Sequence, residues 1–394
     1  MDLRLSDRVQ RIQPSPTLAV TARAAELRDQ GRDIIGLGAG EPDFTTPEPI
    51  RRAAAEAAEA GHTKYTPVDG IPALKRAIID KFRADNDLSY APEEVMVSCG
   101  GKQVVFNLAL ALLQEGDEAV IPGPYWVSYP DIVKLAGAEP VTIPTDDTAG
   151  FKITAHQLEN ALSDRSRLLI LNSPANPTGA VYTEDELQAL ATVIRNQPQL
   201  VILTDDIYEK ILLGAFPFAN ILSVAPDLKQ RTVVLNGVSK AFAMTGWRIG
   251  YAGGPRGLIG AMKKLQSQST SNPAAVSQHA ALAALEADDA LIQPMVDAFR
   301  ERHNYVAEAL NTLPYVSCRR AEGAFYVFPA FHEALKALGL EDDLALATHL
   351  LDTAGVALVP GSAFGAPGYM RLSFATDLDS LRQAMDRLHR ALAG

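Results

Sequence analysis

The chain is poor in cysteine: Cys99 and Cys318 are the only two in 394 residues. Two thiols so far apart cannot build a disulfide framework or a tetrahedral zinc site, and such scarcity fits a reducing cytoplasm. No apolar run reaches the roughly 18 residues that a membrane-spanning helix requires, so no membrane association is expected. Met1 to Leu18 is interrupted by Asp2, Arg4, Asp7, Arg8 and Arg11 and lacks the apolar core of a signal peptide. Basic residues are in deficit, 36 Lys and Arg against 47 Asp and Glu, and the formal charge of -11 sets the field against nucleic acids and anionic membranes. The seven histidines are scattered without paired spacing, so no metal site is expected. Fixed-period repeats, low-complexity tracts and Gly/Ser linkers are missing too, so any domain joint must lie within helices or loops.

What is present is core-forming residues in an ordered pattern. A hydrophobic content of 47% over this length is ample for two or three domains. Apolar β-branched runs at Glu94 to Ser98, Glu118 to Ile121, Leu168 to Asn172, Leu200 to Thr204 and Arg231 to Leu235 alternate with helix-period segments, two of them starting near Lys102 and Trp126. Repeated βα units predict a mostly parallel sheet covered by helices. Thr46 before Pro47 predicts a helix cap with proline at the first helical position, and Thr183 with Glu186 predicts a capping box. From about Asn272 to Leu313 the pattern is Ala-rich and helical. Beyond it, short strands near Phe325 to Phe328 and Tyr369 to Phe374 interleave with helices near Leu344 and Leu378, predicting a smaller α+β domain.

Two glycine-rich stretches imitate nucleotide loops. Gly36, Gly38 and Gly40 follow an apolar run, but Glu41-Pro42-Asp43-Phe44 breaks the chain where a dinucleotide-binding helix should begin. Gly100-Gly101-Lys102 resembles the end of a P-loop, yet Gln103 stands where Ser or Thr would hold magnesium and Met96 where the first glycine belongs.

In an open α/β sheet, ligands bind outside the carboxyl ends of the strands. The strand ending at Ser98 delivers Gly100 and Gly101 to a helix start, where bare amides suit a phosphate. The strand ending at Asn172 is followed by the turn Asn176-Pro177-Thr178-Gly179. After Thr204 come Asp205, Asp206 and Tyr208; after Leu235 come Ser239, Lys240 and Arg248. Taken singly, each has a plain structural explanation: an exposed lysine, a helix-capping aspartate, a core tyrosine or tryptophan at Tyr208 or Trp126, an ordinary turn. Together they place a carboxylate, an amide, a phenol, a lysine, an arginine and an amide nest at one sheet edge. A phosphorylated aromatic aldehyde would use all of them: a desolvated lysine is a good Schiff-base former, and a guanidinium fork suits phosphate.

The segment Ser239-Lys-Ala-Phe-Ala-Met-Thr-Gly-Trp-Arg248 resembles the lysine segment of class I pyridoxal-phosphate aminotransferases. The likeness extends through Ala39-Gly-Glu-Pro-Asp-Phe44, Lys64-Tyr-Thr-Pro67, Gly100-Gly-Lys-Gln103, Pro124-Tyr-Trp126, Asn176-Pro-Thr-Gly179, Asp205-Asp-Ile-Tyr208 and Met370-Arg-Leu-Ser373, and is greatest to the bacterial aspartate aminotransferase branch. It implies an α/β chain of fold type I: an N-terminal arm and part of a small domain in 1–47, a large cofactor-binding domain with a mostly parallel seven-stranded sheet in 48–290, and the α+β small domain in 291–394.

The resemblance also implies roles. Lys240 would hold pyridoxal 5'-phosphate covalently and serve as general base and acid, and Asp205 would face the pyridine nitrogen. Asn176 and Tyr208 would bond the ring hydroxylate while Trp126 stacks on the ring. Ser239, Arg248, the amides of Gly101 and Lys102, and Tyr65 from the second subunit of a homodimer would complete the cofactor site. Arg371 would pair with the substrate α-carboxylate, helped by Gly40 and Asn176; Lys102, Ser15 and Thr17 would face the distal carboxylate. The implied reaction converts aspartate and 2-oxoglutarate to oxaloacetate and glutamate by ping-pong kinetics. Relatives commonly carry Lys before the Pro14-Ser15 pair, where Gln13 stands here; if that position touches substrate, one charge is missing, which counts against prephenate or another dicarboxylic oxo acid as a second acceptor. Two rivals remain: prephenate or aromatic transamination, and a regulatory ligand-sensing module. The latter needs an N-terminal DNA-binding domain, for which a likeness starting by about residue 8 leaves no room.

Overall fold

The computed structural model describes residues 3–14 and 16–393. Its centre is a seven-stranded sheet: β1 (Val95–Ser98), β2 (Glu118–Pro122), β3 (Glu139–Ile143), β4 (Ser166–Asn172), β5 (Val201–Asp205), β6 (Thr232–Gly237) and β7 (Gly250–Gly253), in the order β1-β7-β6-β5-β4-β2-β3. Neighbours pair in parallel except β7, which runs antiparallel to both β1 and β6. The mostly parallel sheet predicted from the sequence is therefore present.

The central strands read as unbroken apolar runs because both faces are covered. Val97, Val120, Leu169, Leu171, Ile202 and Val234 enter one core. Their chain neighbours Met96, Ile121, Leu168, Ile170, Leu203 and Val233 enter the other, where they meet Val104, Val105 and Leu108 of helix α1 (Gly101–Leu112) and Ile259 and Met262 of helix α2 (Arg256–Ser267). The period of two thus divides each strand between two helical layers.

The strands of the sequence analysis recur with ends moved by one or two residues. Two were missed. β3 is an edge strand with only Ile143 buried, and β7 is Gly-Tyr-Ala-Gly, without the β-branched residues that mark a strand. The second predicted helix begins at Ser128, not Trp126. Thr183 and Glu186 form the expected capping box. Thr46 does not cap: the helix begins at Glu48, and the Thr46 hydroxyl instead donates to the Ala243 carbonyl at 2.6 Å and accepts from Trp247 Nε1 at 2.9 Å. A cap side chain must turn back onto its own helix, whereas this one is claimed by the segment that follows Lys240.

The C-terminal part is α+β, as expected. Strands β8 (Tyr326–Val327), β9 (Val359–Pro360) and β10 (Met370–Ser373) form an antiparallel sheet in the order β9-β10-β8, covered by helices Asp343–Ala354 and Leu378–Ala393. The N-terminal segment joins it: Ile35 and Gly36 pair in parallel with Val356 and Ala357, and Ser373 N donates to the Leu37 carbonyl. This brings Gly38 and Gly40 over the carboxyl edge of the large sheet. Among the described residues, no helix is long and apolar enough to cross a membrane, and no group of three His, Cys, Asp or Glu could hold a metal ion.

Candidate active site

A cavity of about 490 Å³ opens at that edge, beneath the Gly38–Glu41 segment and β8–β10. Gly40, Gly101, Lys102, Trp126, Asn176, Asp205, Tyr208, Ser239, Lys240, Arg248 and Arg371 all line it. These are eleven of the fourteen residues singled out in the sequence.

The register of the sheet builds the floor. Asn172 at the end of β4 pairs with Asp205 at the end of β5, which pairs with Leu235 of β6. Asn172 Nδ2 donates to the Asp205 carbonyl at 2.8 Å, and its Oδ1 accepts the Asn176 amide at 2.9 Å, fixing the turn that aims the Asn176 side chain. The Asp205 carboxylate is buried. Its Oδ2 accepts from the Tyr129 hydroxyl at 2.6 Å, and the Ile207 amide donates to Oδ1 at 3.3 Å. Burial raises its pKa to about 6, against which the Tyr129 hydroxyl acts. Asp206 points away, accepting from Thr204 and Asn220 behind the site.

Lys240 follows β6, and its ammonium donates to the Gly40 carbonyl at 2.6 Å. Nζ lies 5.8 Å from the ring centres of both Tyr208 and Phe325. Desolvation, and next the positive charge of Arg371, bring its pKa down to about 8, so the neutral amine forms readily.

Arg371, on β10, is 3% exposed. Its Nη1 donates to Asn176 Oδ1 at 2.9 Å and its Nη2 to the Gly38 carbonyl at 2.6 Å; the guanidinium lies 4.6 Å from the Tyr326 ring centre and 5.0 Å from that of Phe364. No carboxylate partners it among the described ion pairs, and Nε has no hydrogen-bond partner. A buried cation with an unused donor beside a cavity is built for an anion from outside the chain.

The other end of the cavity is a cradle. Gly101 and Lys102 occupy the first two positions of α1, whose N–H groups have no intrahelical acceptor. Arg248, held at φ 56° in the left-handed region, places its guanidinium against the loop, donating to the Thr245 carbonyl at 2.8 Å. Two glycines make room: a Cβ on Gly100 would meet Arg248 Nη2 at 2.4 Å, and one on Gly250 would meet Gly101 N at 2.3 Å. Lys102 Nζ stands 5.1 Å from the Trp126 ring centre, its pKa lowered by burial and then by Arg248.

Three predicted residues are not in the cavity as described. Tyr65 is on the surface at 92% exposure, away from this chain's own site. Ser15 lies outside the described residues, and although Thr17 falls in the helix Pro16–Asp29, its side chain is outside them as well. The sequence analysis in turn missed Tyr129, Asn172 and Tyr326. Tyr326 Oη lies 2.9 Å from Tyr208 Oη, and a Cβ on Gly40 would come within 3.3 Å of it. Tyr129 and Tyr326 carry in the sequence only the pattern of buried core aromatics.

A desolvated amine, a buried acid, an amide nest and an arginine without a carboxylate partner stand together at the carboxyl edge of a mostly parallel sheet, an arrangement that suits group-transfer chemistry. Residues 32–388 match the family model for aminotransferase class I and II, and the chain belongs to that family. It is 54% identical to the aspartate/prephenate aminotransferase of Nitrosomonas europaea over 99% of this chain and 100% of that one. It is 48% identical to the aspartate aminotransferase of Geobacillus stearothermophilus over 98% of each. Among solved structures, the aspartate aminotransferase of Rhizobium meliloti superposes with a TM-score of 0.96 at 43% identity, covering 100% of this chain and 99% of that one. The aspartate aminotransferase of Thermus thermophilus with maleate gives 0.93 at 43% identity, covering 99% and 100%.

Proposed function

We propose that this chain is a pyridoxal 5'-phosphate-dependent aspartate aminotransferase, interconverting L-aspartate and 2-oxoglutarate with oxaloacetate and L-glutamate. The observation that carries the reading is the pairing of Lys240 with Arg371 in one cavity: a nucleophilic amine beside a buried guanidinium that lacks an anion. The residues fit the cofactor that the family uses. Asp205, Tyr208, Asn176 and Trp126 are grouped for its ring, and Gly101, Lys102, Ser239 and Arg248 for its phosphate. When bound, that group supplies an aldehyde for amine exchange and a protonated ring that draws electron density from the substrate α-carbon.

The chain's own residues do the rest. Arg371 grips the α-carboxylate with its fork while Asn176 and the Gly38–Gly40 segment bound the same position, which fixes the face that the α-hydrogen presents. Lys240 Nζ takes the proton from Cα and passes it on within the same half-reaction, a task suited to an amine with a pKa of about 8. With the second substrate it runs the transfer in reverse, delivering a proton to Cα. The two halves share one site, so kinetics are ping-pong. Lys102 draws the distal carboxylate and thereby favours aspartate and glutamate; Ser15 and Thr17 are assigned the same carboxylate. The exposed Tyr65 is assigned to the phosphate of a second subunit in a homodimer.

A second reading, prephenate as an additional acceptor, is favoured by the name of the 54% identical relative. Initial rates with aspartate, glutamate and phenylalanine as donors and 2-oxoglutarate and prephenate as acceptors separate the two. Aspartate with 2-oxoglutarate is expected to turn over well. If aspartate were inert while another donor reacted, the proposed function would be wrong; rapid amination of prephenate would add the second activity.

A further inference from the structure

We propose that Tyr129 is a positioning residue that decides which side of the contact between Asp205 and the cofactor's ring nitrogen carries the shared proton. The inference rests on reading the cavity as a pyridoxal-phosphate site and deepens that reading.

Tyr129 enters from the helix Ser128–Leu135, fully inside the protein at 2% exposure. Its hydroxyl reaches Asp205 Oδ2 at 2.6 Å, shorter than the 3.3 Å from the Ile207 amide to Oδ1. Its ring meets Trp126 edge-on at 5.2 Å with an interplanar angle of 88°. One side chain therefore holds both the acid assigned to the ring nitrogen and the indole assigned to the ring face. The charge of Lys240 also favours the ionised carboxylate, but less than the Tyr129 hydroxyl does, and its ammonium is bonded to Gly40; Asp206 is engaged with Thr204 and Asn220, and Tyr208 bonds Tyr326.

A carboxylate facing a pyridine nitrogen in a dry site shares one proton, which settles on the more basic partner. Burial makes Asp205 more basic and so favours the neutral acid beside a neutral ring. A short donor hydrogen bond to the carboxylate reverses this by stabilising the ionised form. Tyr129 suits that task because burial and the negative charge of Asp205 keep the phenol protonated, a donor at every pH at which the enzyme works. With the proton on nitrogen the ring draws electrons; with the proton on Asp205 it does not.

The test uses the full-length protein and its Tyr129→Phe variant, which keeps the ring and the Trp126 contact. Each is loaded with pyridoxal phosphate carrying ¹⁵N in the ring, and the nitrogen NMR signal is read at one pH. The wild type should give the protonated signal and the variant a signal moved toward the unprotonated one. The expected change in proton partition is about tenfold, the size of one hydrogen bond to a charged group. Turnover should fall about tenfold with the KM for aspartate unchanged within about twofold. In the cofactor-free chains, the Asp205 carboxyl should titrate higher in the variant by about one pH unit, a readout that needs no bound group. Thermal unfolding checks that the variant folds. If it does not, Tyr129→His in the same assays keeps an N–H donor and should leave the nitrogen signal protonated. If the wild type fails to retain the labelled cofactor, the reading of the cavity falls and this inference with it. If the wild type retains it and neither the nitrogen signal nor the Asp205 titration moves in Tyr129→Phe, only the role of Tyr129 is overturned.

Discussion

The Lys240 ammonium donates 2.6 Å to the carbonyl of Gly40, a residue 200 positions earlier in the chain. The bond ties the loop after β6 to the segment that follows the parallel pairing of Ile35–Gly36 with Val356–Ala357, and it holds the amine over the cavity that Asp205 and Arg371 also line. Desolvation, with the positive charge of Arg371, outweighs the negative charges of Glu41 and Asp205 and so dominates its titration.

Capture of an aldehyde by the cofactor-free chain should therefore follow the neutral amine, rising about tenfold per pH unit up to pH 8 and levelling above. Stopped-flow absorbance with pyridoxal phosphate reads this directly, and a rate still climbing at about pH 10 would place the amine at its ordinary pKa. The stability consequence has the opposite sign to an ion pair. Between the folded value of about 8 and the ordinary 10.5, the unfolded chain binds the extra proton, so stability rises with pH across that window and the full penalty applies below it. Lys240→Met should thus melt a few degrees higher than wild type at pH 7, lose that advantage above about pH 10.5, and have no transaminase activity.

Arg371 offers a second check. Its fork is already aimed by Asn176 and Gly38, with Nε left over. Arg371→Lys keeps the charge and loses the bidentate geometry, which costs roughly 1.5–3 kcal/mol for a charge-assisted pair, or about 10- to 100-fold in KM for donor and acceptor alike. Cofactor affinity should barely change. Steady-state kinetics beside a cofactor titration distinguish the outcomes, and an unchanged KM would mean the α-carboxylate binds elsewhere.

The unequal legibility of this site has a physical cause. Asp205, Lys240 and the Gly100–Lys102 nest stand directly after apolar strands, so strand pattern and chemistry appear together in the sequence. The Tyr129 to Asp205 bond spans 76 residues and the Tyr208 to Tyr326 contact 118, and Tyr129 and Tyr326 read as ordinary core aromatics until the fold brings them in. Thr46 departs from expectation for the same reason: a local rule predicts a local cap, whereas its partners are Ala243 and Trp247. β7 carries no strand signal because Gly250 serves close approach to the nest and Gly253 close approach to the Tyr90 ring, not strand propensity.

That close approach is testable. A methyl group on Gly250 would press on Gly101 N at 2.3 Å and on the Gly100 carbonyl carbon at 2.5 Å, both backbone atoms that cannot swing aside. Gly250→Ala should destabilise the protein by about 1–3 kcal/mol, as overpacking does, and weaken cofactor retention by displacing the amides assigned to its phosphate. Gly257→Ala, in α2 with open space around its Cβ, is the control and should be stabilising by about 0.5–1 kcal/mol. Denaturant unfolding and cofactor titration of both variants decide the matter; equal behaviour would show that the nest yields to the methyl group.

Lys102 tests the choice of substrate. Its ammonium rests 5.1 Å from the Trp126 ring centre, partly desolvated and beside the positive Arg248, with no acidic side chain paired to it among the described ion pairs. Such an ammonium gains from a substrate carboxylate and gives nothing to an apolar side chain. Lys102→Leu leaves the backbone amide at the helix start in place, so cofactor binding should hold while kcat/KM for aspartate and glutamate falls roughly 10- to 100-fold, the range of a lost charge-assisted hydrogen bond. The value for phenylalanine should stay level or rise. If aspartate and phenylalanine fell in parallel, Lys102 would belong to the cofactor's support and the dicarboxylate preference would have to come from another residue.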